Sequence, residues 1–188
     1  MRICIQDSVL RNWNENDIPA LVKNADNPRI AAMMRDGFPS PYTMDDAHRF
    51  LAMATGTSKN LMLAVVVEGE AVGGIGIHPL EDVYRGTAEI GYWLAEPYWG
   101  KGIITRAVRA LVPVAFEQYD IIRLEAGIFS NNPASMRVLE KCGFVREAVH
   151  RNAITKHGET LDEMLYVRFN RKIKEGIIPG QPGCHRSR

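Results

Sequence analysis

One stretch near the middle of the chain most constrains its fold, because a strand, a glycine-containing turn and a helix are predicted there in direct succession. Residues 87–94 are rich in aromatic and β-branched residues and contain no proline, which predicts a strand. From Ile103 to Phe116, apolar residues recur at helical spacing. Between the two, Gly100 and Gly102 permit backbone angles that other residues avoid. The free N–H groups and the dipole of a helix N-terminus predict a site for phosphate or pyrophosphate here.

The same stretch also fits a plain strand-to-helix connection that binds nothing. A nucleotide P-loop is excluded, because the spacing Gly-x-x-x-x-Gly-Lys-Ser/Thr is absent. The three glycines of a dinucleotide fingerprint are also absent, which disfavours a dinucleotide-dependent oxidoreductase. The phosphate interpretation therefore depends on the motifs that follow along the chain.

Composition and charge narrow the class of protein. With 188 residues, 46% of them hydrophobic and 24% charged, the chain resembles an ordinary globular domain able to bury its own core. A net charge of +1 argues against nucleic acid as the main partner. No apolar run is long enough to span a bilayer, and the first residues lack a signal-peptide pattern, so we expect no membrane association.

Cysteine and histidine usage points to a reducing compartment and no bound metal. Cys4, Cys142 and Cys184 are far apart and form no Cys-x-x-Cys pair, which predicts free thiols in the cytoplasm. The five histidines form no His-Glu-x-x-His motif or comparable cluster. We therefore predict no metal site.

Along the chain, helices and strands follow an order typical of an α/β or α+β domain with a mixed sheet. Thr43 and Asp46 approximate a capping box that begins a helix. Pro113 should kink or shorten the helix after the glycine turn. The predicted strands are 2–13, 61–67, 71–78, 87–94, 121–129, 145–155 and 162–169, and the other predicted helices are 17–25, 28–34 and 133–142.

Three segments together resemble the GCN5-related N-acetyltransferase (GNAT) superfamily. Residues 89–94 with Trp99-Gly100-Lys101-Gly102 are similar to its acetyl-coenzyme A (acetyl-CoA) motif. Residues 132–144, Asn-Pro-Ala-Ser-Met-Arg-Val-Leu-Glu-Lys-Cys-Gly-Phe, resemble the next motif, and residues 158–166 resemble the closing hairpin. The wording is most similar to the ribosomal-protein N-acetyltransferase branch (RimJ/RimL-like), and the resemblance covers about residues 2–170.

The resemblance implies a fold and a reaction. The implied fold is a twisted, mostly antiparallel mixed sheet of six to seven strands with about four helices, in which the strands at 87–94 and 122–129 splay apart. It implies one N-acetyltransferase domain over 1–170, and we expect the basic, Pro- and Gly-containing tail at 171–188 to be poorly ordered. The implied reaction transfers acetyl from acetyl-CoA to a primary amine in a monomer or homodimer.

The donor site implied by the resemblance follows the strand, the turn and the next motif. The backbone near Trp93 and Leu94 would pair with pantetheine and stabilise an oxyanion, and the turn would take the pyrophosphate. Ile104 and Arg106 depart from the usual residues of this motif, but they leave the backbone donors in place. The predicted acetyl-CoA contacts are Trp93, Leu94, Trp99, Gly100, Lys101, Gly102, Ile103, Ile104, Thr105, Asn132 and Ser135.

Two residues are predicted to carry the chemistry. Period-two alternation places Glu89 on one face with Gly91 and Trp93, where it is the candidate base for the amine proton. Ser135 holds the family position that protonates the leaving thiolate. The alternatives are a solvated strand glutamate and a serine that only satisfies a helix N–H.

The acceptor is left open by the sequence. Phe38 and Tyr42 lie in a proline-bounded loop and Tyr166 lies on the last hairpin, so these three are predicted to line the acceptor site. The branch suggests a protein N-terminus as acceptor. A small amine such as an amino acid, polyamine or drug is the alternative, and a non-catalytic coenzyme A-binding sensor is a further one.

Overall fold

The computed structural model describes residues 1–170, and the predicted tail at 171–188 lies outside the described residues. The described chain contains eight strands and five α-helices. In chain order they are β1 Arg2–Ile5, β2 Ser8–Asn12, α1 Ile18–Ala25, α2 Pro28–Ala31, α3 Met44–Thr55, β3 Leu61–Val67, β4 Glu70–Pro79, β5 Thr87–Leu94, α4 Ile103–Gln118, β6 Arg123–Phe129, α5 Pro133–Lys141, β7 Val145–Lys156 and β8 Glu159–Phe169.

All eight strands form one mixed sheet in the order β1-β2-β3-β4-β5-β6-β8-β7. Every neighbouring pair is antiparallel except β5 and β6, which are parallel. The exception follows from the connection, since two parallel strands need a crossover and α4 provides it. The predicted fold class is therefore confirmed.

The number of strands differs from the sequence-based expectation. The sheet has eight strands rather than six to seven, because residues 2–13 fold back on themselves at Gln6, whose φ is 39°, and so form two strands. Of the two effects predicted for Pro113, shortening does not occur, because α4 continues to Gln118, and a kink stays a prediction. Most other predicted boundaries agree within a few residues, including the capping box between Thr43 and Asp46.

Two apolar cores lie on opposite faces of the sheet. One contains the buried side of α4 and α5 and includes Ile90 and Leu94 of β5. The other lies beneath α1, α2 and α3 and includes Trp93 of the same strand. Because successive strand residues point to opposite faces, β5 contributes side chains to both cores along one short segment.

The capping box allows a stability prediction. Thr43 Oγ1 accepts a hydrogen bond from the Asp46 backbone N–H at 3.3 Å and donates to the Asp46 carboxylate at 2.5 Å. Thr43→Ala removes both bonds from the start of α3, so the free energy of unfolding should fall by ~1 kcal/mol. Denaturant unfolding measures this, and Thr43→Ser, which keeps the hydroxyl, is the matched control. Equal stability of the alanine and serine variants would contradict the prediction.

Candidate active site

The site begins where two adjacent strands stop pairing. β5 and β6 are paired only at Thr87 with Arg123, Ala88 with Leu124 and Glu89 with Glu125, although both strands continue beyond these residues. A cleft of about 920 Å³ opens along the unpaired part. The predicted splay between 87–94 and 122–129 is thus a property of the structure.

The unpaired edge of β5 presents backbone polar groups to this gap. The Ala95 N–H donates to the Val72 carbonyl at 2.8 Å, and the preceding residue, Leu94, lies opposite Gly73. Because bonded and non-bonded pairs alternate in an antiparallel ladder, the N–H and C=O of Leu94 point away from β4 and into the gap. The same alternation turns the backbone groups of Ile90 and Tyr92 toward it. This edge can accept an extended ligand as a further strand would.

At the end of the gap, the glycine turn leads into α4. Gly100 and Gly102 both have φ of 74°, and Gly102 is the N-cap residue. The first helical bond runs from the Arg106 N–H to the Gly102 carbonyl at 3.0 Å. Within residues 1–170, the backbone N–H groups from Gly100 to Thr105 have no recorded acceptor. They form a cluster of donors at the positive end of a sixteen-residue helix. Such a cluster is well suited to bind an anion.

Side chains brace this turn from within. Arg106 Nη1 donates to the Lys101 carbonyl at 3.1 Å, and the Arg106 Nε is buried without a hydrogen-bond partner in the described chain. Lys101 lies over the Tyr98 ring with Nζ 5.3 Å from its centroid. Lys101 is exposed and is absent from the cleft lining, so its side chain is the one predicted donor-site contact that the structure does not bring into the cleft.

Trp99 connects the turn to the end of β5. Its indole Nε1 donates to the Leu94 carbonyl at 2.7 Å, and the guanidinium of Arg29 lies 5.2 Å from its ring centroid. Arg29 also pairs with Glu96, whose other oxygen accepts a hydrogen bond from Asn27 at 2.8 Å. The start of α2 is thereby fastened to the wall of the cleft.

The far side of the gap is formed by the start of α5. Asn132 is the N-cap, and its Oδ1 accepts a hydrogen bond from the Ser135 N–H at 3.1 Å. The Ser135 hydroxyl is therefore not used for capping and lies 2.8 Å from the Tyr92 hydroxyl across the gap. Burial raises the pKa of Tyr92, so the phenol keeps its proton at neutral pH. Sequence reasoning missed Tyr92, although its alternation with Glu89 places it on the α4 and α5 face.

Glu89 lies in the cleft on the opposite face, and it is paired with a residue that the sequence analysis did not single out. Arg35 donates from Nη2 to Glu89 Oε1 at 3.0 Å and from Nη1 to Oε2 at 3.2 Å. The side chains are 74% and 34% exposed respectively, so this pair sits at the mouth of the cleft. The hydrogen bond to Glu89 raises the pKa of Arg35. No local pattern in the sequence links residues 35 and 89, which are 54 positions apart.

His78 lies beside Glu89 as its cross-strand partner on β4. Its ring leans over Gly76, where a Cβ would lie 2.9 Å from His78 Nε2, so glycine is required for this placement. Burial lowers the pKa of His78 below its ordinary value of 6.5, with Glu89 opposing that shift and Arg35 adding to it. The sequence analysis read His78 only as the end of a strand.

Aromatic side chains form the wall next to Glu89. The Phe38 ring is 5.8 Å from Trp93 and 5.3 Å from Tyr42, and all three line the cleft. Tyr42 is buried, and burial raises its pKa to about 12. The structure therefore brings the predicted acceptor residues Phe38 and Tyr42 together with the predicted donor residue Trp93.

Tyr166 is a correction to the sequence analysis. It is 2% exposed, lies outside the cleft lining and donates its hydroxyl to Glu140 Oε1 of α5 at 2.8 Å. Successive residues of a strand point to opposite faces, and Tyr166 points to the face covered by α5. Glu163, three positions earlier on β8, points to the other face and lines the cleft. Glu163 leans over Gly127 and lies 2.9 Å from His150 Nδ1. The remaining predicted site residues, Leu94, Trp99, Gly100, Gly102, Ile103, Ile104, Thr105, Asn132 and Ser135, all line the cleft.

The described part of the chain offers neither a metal site nor a membrane-spanning helix. Residues 1–170 hold no group of three histidine, cysteine or acidic side chains placed to bind a metal ion. No helix within the same range is both long and apolar enough to cross a membrane.

Comparison with known proteins assigns the family. A family model described as acetyltransferase (GNAT) domain matches residues 8–145. The chain is 41% identical over 99 residues to the probable N-acetyltransferase YjcK of Bacillus subtilis. The match covers 51% of this chain and 55% of YjcK, so it spans only about half the length of that relative. It is 33% identical over 148 residues to YdaF of the same organism, provisionally named a ribosomal N-acetyltransferase, covering 79% of this chain and 75% of YdaF.

A solved structure shares the fold. It is the ribosomal L7/L12 α-N-protein acetyltransferase RimL in complex with coenzyme A, which superposes with a TM-score of 0.80 over 90% of this chain and 98% of RimL. At 22% identity this likeness concerns the fold alone. The family match, the curated relatives and the cleft between the splayed strands agree, and the chain belongs to the GNAT acetyltransferase family.

Proposed function

We propose that the protein transfers the acetyl group of acetyl-CoA to a primary amine by direct attack, with both substrates bound at once and a protein N-terminus as acceptor. The observation that carries this proposal is the continuity of the donor site. The free backbone edge of β5 leads directly to the unpaired N–H groups between Gly100 and Thr105. One long ligand with amides at one end and a pyrophosphate further along matches both features.

The thioester end of acetyl-CoA would lie in the gap between β5 and β6, with one face of the sheet on either side. Leu94 offers a backbone N–H into the gap for the oxygen that becomes negative when the amine attacks. Ser135 and Tyr92 lie on the α5 side of the gap, where the sulfur of a thioester bound along β5 would be placed. Asn132 holds the first turn of α5 and so positions Ser135. The amine would approach from the other face, past Phe38, Trp93 and Glu89.

The choice of a protein N-terminus rests on two observations. YdaF and RimL carry names that refer to ribosomal acceptors. The floor of the acceptor side includes Gly91, which has open space above its Cα, whereas its cross-strand partner Gly76 lies beneath the His78 ring. The open space above Gly91 leaves room for a peptide backbone as well as for its amino group.

An acceptor panel with detection of the released thiol tests this function. Peptides with a free N-terminus should release coenzyme A, and the same peptides with a blocked N-terminus but a free lysine should not. If only free amino acids or polyamines support turnover, the acceptor is a small amine and not a protein N-terminus. Binding of acetyl-CoA without turnover on any amine would indicate a coenzyme A sensor. The monomer or homodimer state and the cytoplasmic location stay predictions.

The turn is the first target for mutation. Gly102→Val introduces a side chain at φ of 74°, next to the donors that would hold the pyrophosphate. Acetyl-CoA binding should weaken by at least ~2 kcal/mol, because hydrogen bonds to a charged group are lost. Titration calorimetry measures the affinity, and a thermal melt checks the fold. Lys101→Ala is the matched control and should cost about 1 kcal/mol or less, since that side chain is exposed. Unchanged affinity of a folded Gly102→Val protein would remove the pyrophosphate from this turn.

The hydroxyl pair gives a second prediction. Ser135→Ala should lower kcat by about 10²-fold if departure of the thiolate limits turnover, because its proton donor is lost. Tyr92→Phe removes the hydroxyl 2.8 Å from Ser135 Oγ and should have a smaller effect of the same kind. Both effects should shrink with an acyl donor whose thiol leaves more readily. The double variant should be no slower than Ser135→Ala, and additive losses would show that the two hydroxyls act independently.

Phe38 gives a third prediction. Its ring stands between Tyr42 and Trp93 on the acceptor side, so Phe38→Ala should raise the KM of the acceptor far more than that of acetyl-CoA. Steady-state kinetics with each substrate varied in turn measures the two constants. Phe169→Ala is the control, since Phe169 is exposed and lies outside the cleft. Equal increases in both KM values would mean that Phe38 only supports the fold.

A further inference from the structure

The ion pair with Arg35 occupies both carboxylate oxygens of Glu89, the predicted acceptor of the amine proton. Each oxygen of Glu89 accepts a hydrogen bond from the same guanidinium, at 3.0 and 3.2 Å. A general base must receive a proton from the attacking amine within hydrogen-bond reach. At Glu89 that proton would have to displace Arg35 or share an oxygen with it. The carboxylate is therefore already engaged before an acceptor arrives.

The neighbouring imidazole is not engaged. His78 has no hydrogen bond or ion pair recorded within residues 1–170, although it lines the same cleft. Its Nε2 edge projects over Gly76 toward the position opposite Gly91, which is the exposed glycine in the unpaired part of β5. The ring is thus displaced from Glu89 toward the end of the strand where the thioester would lie.

Two charged side chains and burial together set the pKa of His78. Glu89, directly across the ladder, favours the imidazolium, while Arg35 opposes it and burial favours the neutral ring. Glu163 acts on Arg35 from β8. The lowered pKa of His78 leaves the imidazole neutral near pH 7, with a lone pair available.

We propose that His78 accepts the proton of the attacking amine and that Glu89, held in place by Arg35, stabilises the resulting imidazolium. The inference rests on the proposed acetyl transfer and adds the proton acceptor to it. The nitrogen lone pair forms the new N–C bond, the C–S electron pair leaves with sulfur, and one amine proton moves to His78. The thiolate takes a proton from solvent, either directly or through the Ser135 hydroxyl, which is then reprotonated by solvent, and His78 later releases its own proton to water. Glu89 is in this scheme a positioning residue.

The test is the pH dependence of kcat in three variants. Wild type should lose activity as pH falls through the pKa of His78, below 6.5, because the imidazolium cannot accept a proton. His78→Asn should lower kcat by about 10²-fold or more and abolish this limb. Glu89→Gln should keep the limb but move it to lower pH, since a negative charge beside the ring is lost. Arg35→Gln should move the limb to higher pH, since a positive charge is lost.

Two controls make the assignment specific. Measuring each profile with two acceptors of different amine pKa separates the two titrations, because only the acceptor's own limb moves between them. His48→Asn, on the exposed surface of α3 and outside the cleft, should leave the profile unchanged. A limb that vanishes in Glu89→Gln and persists in His78→Asn would overturn the proposal in favour of Glu89. A limb present in every variant would overturn it in favour of water.

A spectroscopic titration covers the case in which His78→Asn does not fold. The Cε1 proton of His78, followed by NMR in wild type, Glu89→Gln and Arg35→Gln, should report pKa values that move with the kinetic limb. Kinetic and spectroscopic values that diverge would overturn the proposal. Acetyl-CoA binding by calorimetry should be the same in all variants. Absence of turnover in wild type with every amine would instead reject the proposed function, which is a different outcome from an active His78→Asn enzyme.

Discussion

The structure depends on one interrupted pairing. β5 and β6 are held together at Thr87 to Glu89 by a parallel ladder, and they then separate while each remains bonded to its other neighbour. A backbone edge left unpaired inside a sheet must be satisfied by something else, because unmet N–H and C=O groups are costly to bury. Here the gap lies between two apolar cores and ends at the start of α4. The chain thus combines a rigid frame with a slot for one extended ligand.

The two faces of the sheet carry different sets of the proposed site residues. Along β5, Tyr92 points toward α5 and meets Ser135, whereas Glu89 and Trp93 point toward the side covered by α1, α2 and α3. This separation follows from the period of a strand rather than from any special motif. In the proposed reaction, the leaving sulfur and the arriving amine would occupy opposite faces, with the free backbone N–H of Leu94 between them.

The acceptor side is organised by charge. Arg35 comes from the segment after α2, His78 from β4 and Glu89 from β5, and all three line the cleft. An exposed ion pair contributes little to stability, so in the proposed reaction the role of the Arg35–Glu89 pair is to orient the carboxylate. In the proposed scheme the guanidinium fixes the carboxylate of Glu89, whose cross-strand partner is His78, and the absence of a side chain at Gly76 gives the imidazole ring its room.

The sequence by itself determined the order of elements, the glycine turn and the capping residues Thr43 and Asn132, because each of these depends on residues close together in the chain, and its motifs were enough to indicate the family. Tertiary structure decided the rest. The pairing of Arg35 with Glu89 joins residues 54 positions apart, and that of Tyr92 with Ser135 joins residues 43 apart. Tyr166 was assigned to the acceptor site although it is buried beneath α5, because which face of a strand meets the cleft depends on how the sheet is covered. Such contacts arise only when distant strands and helices pack together, and no local pattern records them.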